Sequence, residues 1–258
     1  MNDVGSELKG SVFIITLNRV NKHNAFDVLL LASLQQVLEQ ALANSKVRVV
    51  ILKARGKHFS AGADLSWMKS MAEFTEEENL NDALVLAKLL NSLYQSPKPI
   101  IAMVQGAALG GGAGLVAACD IAIASSSAYF CFSEVKLGLI PAVISPYVVK
   151  ALGERAAKYL FMSAETFDAA EAKRLGLVQH CVNEDELWSF TLNYAEGISK
   201  LAPLAVSECK LLVAAVAGKN INEDLMQQTA SLIAQKRVSV EGQRGLKAFL
   251  NKEVPSWD

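Results

Sequence analysis

The chain has 258 residues, 25 Lys and Arg against 26 Asp and Glu, and a formal net charge of -1. At about 150 residues per domain this suits one large domain or a domain with an appendage. A hydrophobic content of 52% excludes a disordered chain, and near-neutral charge without a Lys/Arg run excludes a nucleic-acid or anionic-membrane footprint.

The opening MNDVGSELKG has no basic stretch leading into an apolar one, so no secretory signal is predicted. Val12–Leu17 is apolar and β-branched and predicts a strand. Asp27 is expected to cap a helix in which Leu30, Leu34, Val37, Leu38 and Ala41 recur at helical spacing. Residues 47–54 predict a second strand, buried on both faces because Val49, Val50, Ile51 and Leu52 are consecutive. GKHFSAGADLSWMK reads as a loop. Glu76, Glu77 and Glu78 then open a helix that runs to Tyr94, where Pro97 and Pro99 break it. Ile100–Val104 is a third strand. After a glycine cluster, residues 115–119 read as helix, and 121–124 and 129–132 as short strands.

Alternating strands and helices through about residue 135 predict an α/β unit with right-handed crossovers. From Ser145 onward the pattern is nearly all helical, with runs at 156–162, 169–175, 187–201, 203–217, 223–236 and 242–250 and too few strands for a second sheet. Between Lys98 and Asp120 lie 21 uncharged residues, long enough to span a bilayer. Five glycines, Pro99 and Gln105 interrupt the run and aromatic flanks are missing, so a buried strand entering a glycine turn and a core helix fits better. Cys119, Cys131, Cys181 and Cys209 form no CxxC pair and suit a reducing cytoplasm. His23, His58 and His180 are scattered, and no metal site is expected.

The turn Gly110-Gly111-Gly112-Ala113-Gly114 admits several readings. Gly112-x-Gly114-x-x-Ala117 matches a relaxed dinucleotide fingerprint, but three residues, Ala107 to Leu109, intervene after Gly106 and the unit lies mid-chain. A P-loop fails, since no Gly-Lys-Ser/Thr follows. A close-packed turn needing positive φ is a purely structural reading. A third reading fits better: N–H groups at a helix start stabilise negative charge, and glycines let a carbonyl approach them. A second small-residue turn, Ser60-Ala61-Gly62-Ala63-Asp64, follows the second strand. One amide from each turn could hold a developing oxyanion, each donor being worth about 2.7–4 kcal/mol in studied enzymes.

These segments resemble the crotonase (enoyl-CoA hydratase/isomerase) superfamily over nearly the whole chain. The resemblance rests on Asn21 through Phe26, Phe59 through Leu65, Val104 through Gly112, Cys119-Asp120-Ile121, Phe132 through Pro141, and a tail containing Glu241, Gly242, Ala248, Phe249 and Lys252. It implies an α/β fold: a crotonase-like β-β-α spiral over 1–200 and a helical C-terminal trimerisation region over 201–258. It also implies a homotrimer or dimer of trimers in the cytoplasm, acting on acyl-CoA thioesters. No cofactor is implied beyond the coenzyme A of the substrate, and neither nucleic acid nor membrane is expected as a partner.

By motif position, the oxyanion-hole amides would be those of Ala63 and Gly111, and Glu134 the acid/base. Lys22, Asn24, Ala25, Ala61, Asp64 and Leu65 would line the coenzyme A path, and Gly62, Gly110, Ser133 and Pro141 would also bind substrate. Phe249 and Lys252 would touch the nucleotide end. A carboxylate near Phe130, Phe132 and Leu137 would be partly desolvated, which suits proton transfer near neutral pH.

The sequence departs from the family at Gly114, where well-known hydratases carry a second glutamate. With Glu134 alone, double-bond isomerisation is the easier chemistry. Gly114, the loop from Pro141 to Lys150 and Asp64-Leu65-Ser66-Trp67-Met68 nevertheless look like bacterial 3-methylglutaconyl-CoA hydratases, which serve leucine or acyclic-terpene breakdown. Ser145, Tyr147 or the substrate's own distal carboxylate would then help hold the water. Trp67, Met68, Met71 and Phe74 are either ordinary core or a wall of the acyl pocket. The activity implied is therefore an enoyl-CoA hydratase. Its rivals are an enoyl-CoA isomerase, a weakly active acyl-CoA-binding homologue and, further off, a dinucleotide oxidoreductase.

Overall fold

A computed structural model describes residues 3–257, which fall into two compact units, Met1–Glu196 and Gly197–Asp258. The first opens with β1 (Val4–Lys9), paired antiparallel with β2 (Val12–Leu17) across a two-residue turn in which Gly10 takes a φ of 59°. A glycine in the left-handed region is what such a tight hairpin requires. β1 is a strand the sequence pattern does not announce, because only Val4 of its residues is buried.

Helix α1 (Val28–Ala43) follows, started by Asp27, whose carboxylate accepts from the Leu30 amide. Leu30, Leu31, Leu34, Leu38 and Ala41 form its buried stripe. β3 (Val49–Ala54) and β4 (Ile100–Val104) are buried almost throughout, as their unbroken apolar runs predict. Between them lie α2 (Leu65–Met71) and α3 (Glu76–Tyr94), the latter opened by a reciprocal Thr75–Glu78 capping box. The stretch read as one loop therefore ends at Asp64, which caps α2.

Two further corrections concern the glycine cluster and the back of the chain. β5 (Ala107–Leu109) precedes the cluster, and α4 (Gly111–Ala118) starts inside it, four residues before the expected helix. Glycine is a poor helix former, but burial of Gly112 through Ala118 against the core overrides that preference. β6 (Ile121–Ser125) and β7 (Tyr129–Cys131) come next. The helical back region, α5 (Ser145–Leu152), α6 (Glu154–Ser163), α7 (Ala169–Leu175) and α8 (Leu187–Ser199), still supplies β8 (Phe167–Asp168) and β9 (His180–Val182).

A second sheet does form, in the order β5-β7-β8, beside the main sheet β1-β2-β3-β4-β6-β9. β7 matches the short strand predicted at 129–132, whereas β5 and β8, three and two residues long, are too short to leave a periodic signal. From β2 to β9 the main sheet is parallel, so the turns leaving β3 and β4 emerge at one edge, where sheets of this kind hold their ligands.

The second unit contains α9 (Pro203–Val216), α10 (Glu223–Val238) and α11 (Val240–Leu250). The Glu241 carboxylate accepts from the Leu204 and Ala205 amides at 3.0 and 2.8 Å, capping the start of α9 from the start of α11. No helix among the described residues is long and apolar enough to cross a membrane.

Candidate active site

The turn after β3 is held on both sides. Phe26 donates to the Gly62 carbonyl and accepts from the Asp64 amide, both at 2.9 Å, forming a parallel bridge with Ala63. In such a bridge the bonds fall on the residues flanking Ala63, so its own N–H points away from Phe26. On the other side, Ser60 pairs with Ala108 of β5 through Ser60 N–H to Ala107 O and Leu109 N–H to Ser60 O, each 3.0 Å. Gly62 sits at φ 91°, and a Cβ there would stand 3.0 Å from the Leu109 carbonyl oxygen. The turn at 61–63 therefore lies directly against the end of β5.

β5 leads into Gly110 (φ 50°, ψ -120°), whose amide donates to Cys131 O at 2.8 Å. Gly111 is the first residue of α4, and its N–H is among those a helix leaves without an intrahelical acceptor. Close packing accounts for the small residues that follow. A Cβ on Gly111 would meet the Phe26 ring at 2.9 Å, and one on Gly112 would meet Ser60 at the same distance. Ala63 and Gly111 are both half-buried, so their backbones remain open to a ligand.

Glu134 begins the 3-10 turn Glu134–Leu137, two residues beyond Phe132. Its Oε1 lies 3.3 Å from where a Cβ on Gly110 would stand, which sets the carboxylate at the N-terminal end of α4. Its Oε2 is buried without a hydrogen-bond partner among the described residues. Burial pushes the Glu134 carboxyl above the usual carboxylate range, partly offset by a bond from its own backbone N–H. Ser133 caps the turn without a side-chain bond, half-buried, and Pro141 is buried.

Lys22 ends the turn Val20–Lys22, and its Nζ meets Asp64 Oδ2 at 2.7 Å. Asp64 is 5% exposed and also accepts from the Ser66 and Trp67 amides. Lys22 first, and then those amides, hold its carboxyl below the usual range against the cost of burial. Lys22 and Asp64 line an open cleft of about 280 Å³ together with Asp27, Val28, Leu29 and Trp67. Leu65 at its edge is 83% exposed.

Asn24 works inward. Its Nδ2 donates to Arg55 O and His58 O at 2.8 Å each, and its Oδ1 accepts from Arg19 N–H at 2.9 Å. Its backbone is engaged as well, the N–H on Arg19 O at 3.0 Å and the carbonyl accepting from Ser60 Oγ at 2.9 Å, so Asn24 holds the surrounding loops in place. Ala25 is buried beside it, and Ala61 is half-buried with its amide on His23 O. Phe249 and Lys252, in the second unit, are both exposed.

Two residues not singled out from the sequence shape the site. Phe26 packs under Gly111, and His58 Nδ1 accepts from the Ala107 amide at 3.0 Å, fixing the start of β5. Their signal was present only as neighbours of the glycine turns. Ser145 spends its hydroxyl hydrogen on Ala142 O, and Tyr147 packs edge-on against Tyr94 at 5.5 Å. None of Trp67, Met68, Met71 and Phe74 is fully buried, though Trp67 packs against the core cluster and its Nε1 donates to Asp82 at 2.9 Å, tying α2 to α3. Among the described residues no group of His, Cys, Asp and Glu gathers to hold a metal.

Small-residue turns at one edge of a parallel sheet, with a buried carboxylate oxygen beside a helix start, make an arrangement suited to acid–base chemistry. The family model for enoyl-CoA hydratase/isomerase matches residues 7–258. A Legionella pneumophila crystal structure assigned to enoyl CoA hydratase/isomerase (crotonase) is 66% identical, with a TM-score of 0.96 and 99% of each chain covered. An enoyl-CoA hydratase from Shewanella pealeana is 44% identical, TM-score 0.95, covering 99% of this chain and 96% of that one. The short-chain-enoyl-CoA hydratase of Clostridium acetobutylicum is 37% identical over 212 residues, 81% of this chain and 80% of its own. The chain belongs to the enoyl-CoA hydratase/isomerase family and has the crotonase fold.

Proposed function

We propose that this protein is an enoyl-CoA hydratase whose single protein carboxylate, Glu134, transfers the protons. The observation that supports this most strongly is the buried, unpartnered Glu134 Oε2 beside the start of α4. In this reading the thioester oxygen accepts from the Ala63 and Gly111 amides. Negative charge that develops on that oxygen is stabilised, making the α carbon a site for proton exchange. Water oxygen bonds to the β carbon, its proton passes to Glu134, and the Glu134 proton goes to the α carbon. The thioester itself is the electron sink, so no further cofactor is required.

Lys22 and Asp64, with Ala25, Ala61, Gly62 and Leu65, line the coenzyme A path, and Asn24 holds that path in shape from behind. Gly110, Ser133 and Pro141 border the acyl group. The substrate is an enoyl thioester with a distal carboxylate, of the 3-methylglutaconyl type used in leucine breakdown, handled in the cytoplasm by a homotrimer or dimer of trimers. α9, none of whose residues is buried, supports such an assembly.

One observation favours a second reading, an enoyl-CoA isomerase: the volume over Gly114 is filled by Ile144, leaving no second carboxylate to hold water. Incubation with crotonyl-CoA, 3-methylglutaconyl-CoA and a 3-enoyl-CoA, with products resolved by mass, separates the two. A water adduct supports the hydratase. A product of unchanged mass with a moved double bond supports the isomerase and overturns the hydratase.

A further inference from the structure

Gly110 and Gly114 lie one turn apart on α4, joined by the Gly114 N–H to Gly110 O bond of 3.0 Å. Over Gly110 stands the Glu134 carboxylate. Over Gly114 stands Ile144, whose Cβ is 2.8 Å from where a Cβ on Gly114 would be, with its Cγ2 closer still. Real Cβ atoms do not approach that closely, so residue 114 has no room for any side chain while Ile144 is present. Ile144 is 2% exposed and belongs to the core cluster, so it cannot swing aside into solvent. It is also the N-cap of α5, with its carbonyl accepting from the Tyr147 and Val148 amides at 3.1 Å, which fixes its backbone.

The geometry points to Ile144 as a specificity-determining residue of this site: it closes the face of α4 beside Glu134 to a second side chain, and thereby limits the protein to one carboxylate there. This rests on the reading of Glu134 as the proton carrier. A reaction run here then depends on Glu134 and on what the substrate brings. Opening the face takes both partners at once: a new side chain at 114 and the loss of one at 144. Glycine is well tolerated at a helix N-cap, so Ile144→Gly removes the obstruction without removing a helix start.

Thermal melting and hydration of crotonyl-CoA test this together. In the wild-type background, Gly114→Ala and Gly114→Glu should each lower the melting temperature by about 5 °C or more, the scale of overpacking in a domain of this size. In an Ile144→Gly background the same changes should cost less than half as much. Equal losses in both backgrounds would overturn the steric coupling, and Gly114→Ala gives that answer even where the glutamate variant does not fold. Gly114→Glu with Ile144→Gly should hydrate crotonyl-CoA at least tenfold faster than Ile144→Gly alone. A folded paired variant with no gain would overturn the role in specificity. Adding Glu134→Gln to the paired variant distinguishes the two readings: retained activity would sink the assignment of Glu134 and leave the melting coupling untouched.

Discussion

The Glu134 carboxylate rests against Gly110, with Oε1 only 3.3 Å from where a Cβ would stand on that glycine. Gly110 serves two purposes at once, since its φ of 50° turns the chain from β5 into α4. Both would suffer from one methyl group. Gly110→Ala should cost about 1–3 kcal/mol of stability from backbone strain and displace the carboxylate by a few tenths of an ångström. Turnover should fall at least tenfold. Melting curves and steady-state rates check the two effects separately, and unchanged turnover in a folded variant would contradict the placement.

Burial of Glu134 has a consequence for stability. Its folded-state pKa is raised, so the contribution it makes is complete below the unfolded value of about 4.5 and is lost as pH rises through the folded value. Glu134→Gln carries no charge to desolvate. The variant should therefore melt higher than wild type at pH 7, with the advantage shrinking to nothing near pH 4. A lower melting point at pH 7 would contradict a carboxylate whose Oε2 is buried without a partner.

His58 shows the opposite sign. Burial first, then the neighbouring His23 and Lys57, hold its imidazole below the usual histidine range. Protonation would also set a donor against the Ala107 amide that its Nδ1 now accepts from. The stability involved is present above about pH 6.5 and is lost as pH falls from there toward the folded value. Wild type should lose melting temperature between pH 7 and pH 5 more steeply than His58→Asn, and equal slopes would contradict the account.

Asn24, at φ 54° and 1% exposed, anchors the loops at 19 and 55–58 with all three of its side-chain bonds. Asn24→Ala leaves two carbonyls and one amide without partners and should cost about 2–4 kcal/mol, since each lost bond to a buried polar group is worth roughly 1 kcal/mol or more. Urea denaturation measures that loss. A change below about 0.5 kcal/mol would contradict this anchoring role.

Much of this was legible in the residues, for reasons that differ along the chain. β3 and β4 announce themselves because both faces are buried and every position must be apolar. Asp27 announces α1 because a capping carboxylate precedes a leucine stripe. β5 and β8 leave no trace, since Ala-Ala-Leu and Phe-Asp are strands only by virtue of the neighbours they meet. Glu134 was found through its motif and its aromatic neighbours. The pairing of Gly114 with Ile144 was not, because thirty residues separate them and only packing brings them together.

The most direct measurement is the turnover of Glu134→Gln beside wild type on 3-methylglutaconyl-CoA and crotonyl-CoA at pH 7. The variant keeps the shape of the side chain and removes the proton carrier. A loss of about a hundredfold or more in kcat, roughly 2.7 kcal/mol on the barrier, with KM little changed, is the expected result. A loss smaller than about tenfold, roughly 1.4 kcal/mol, would contradict Glu134 as the group that moves the proton.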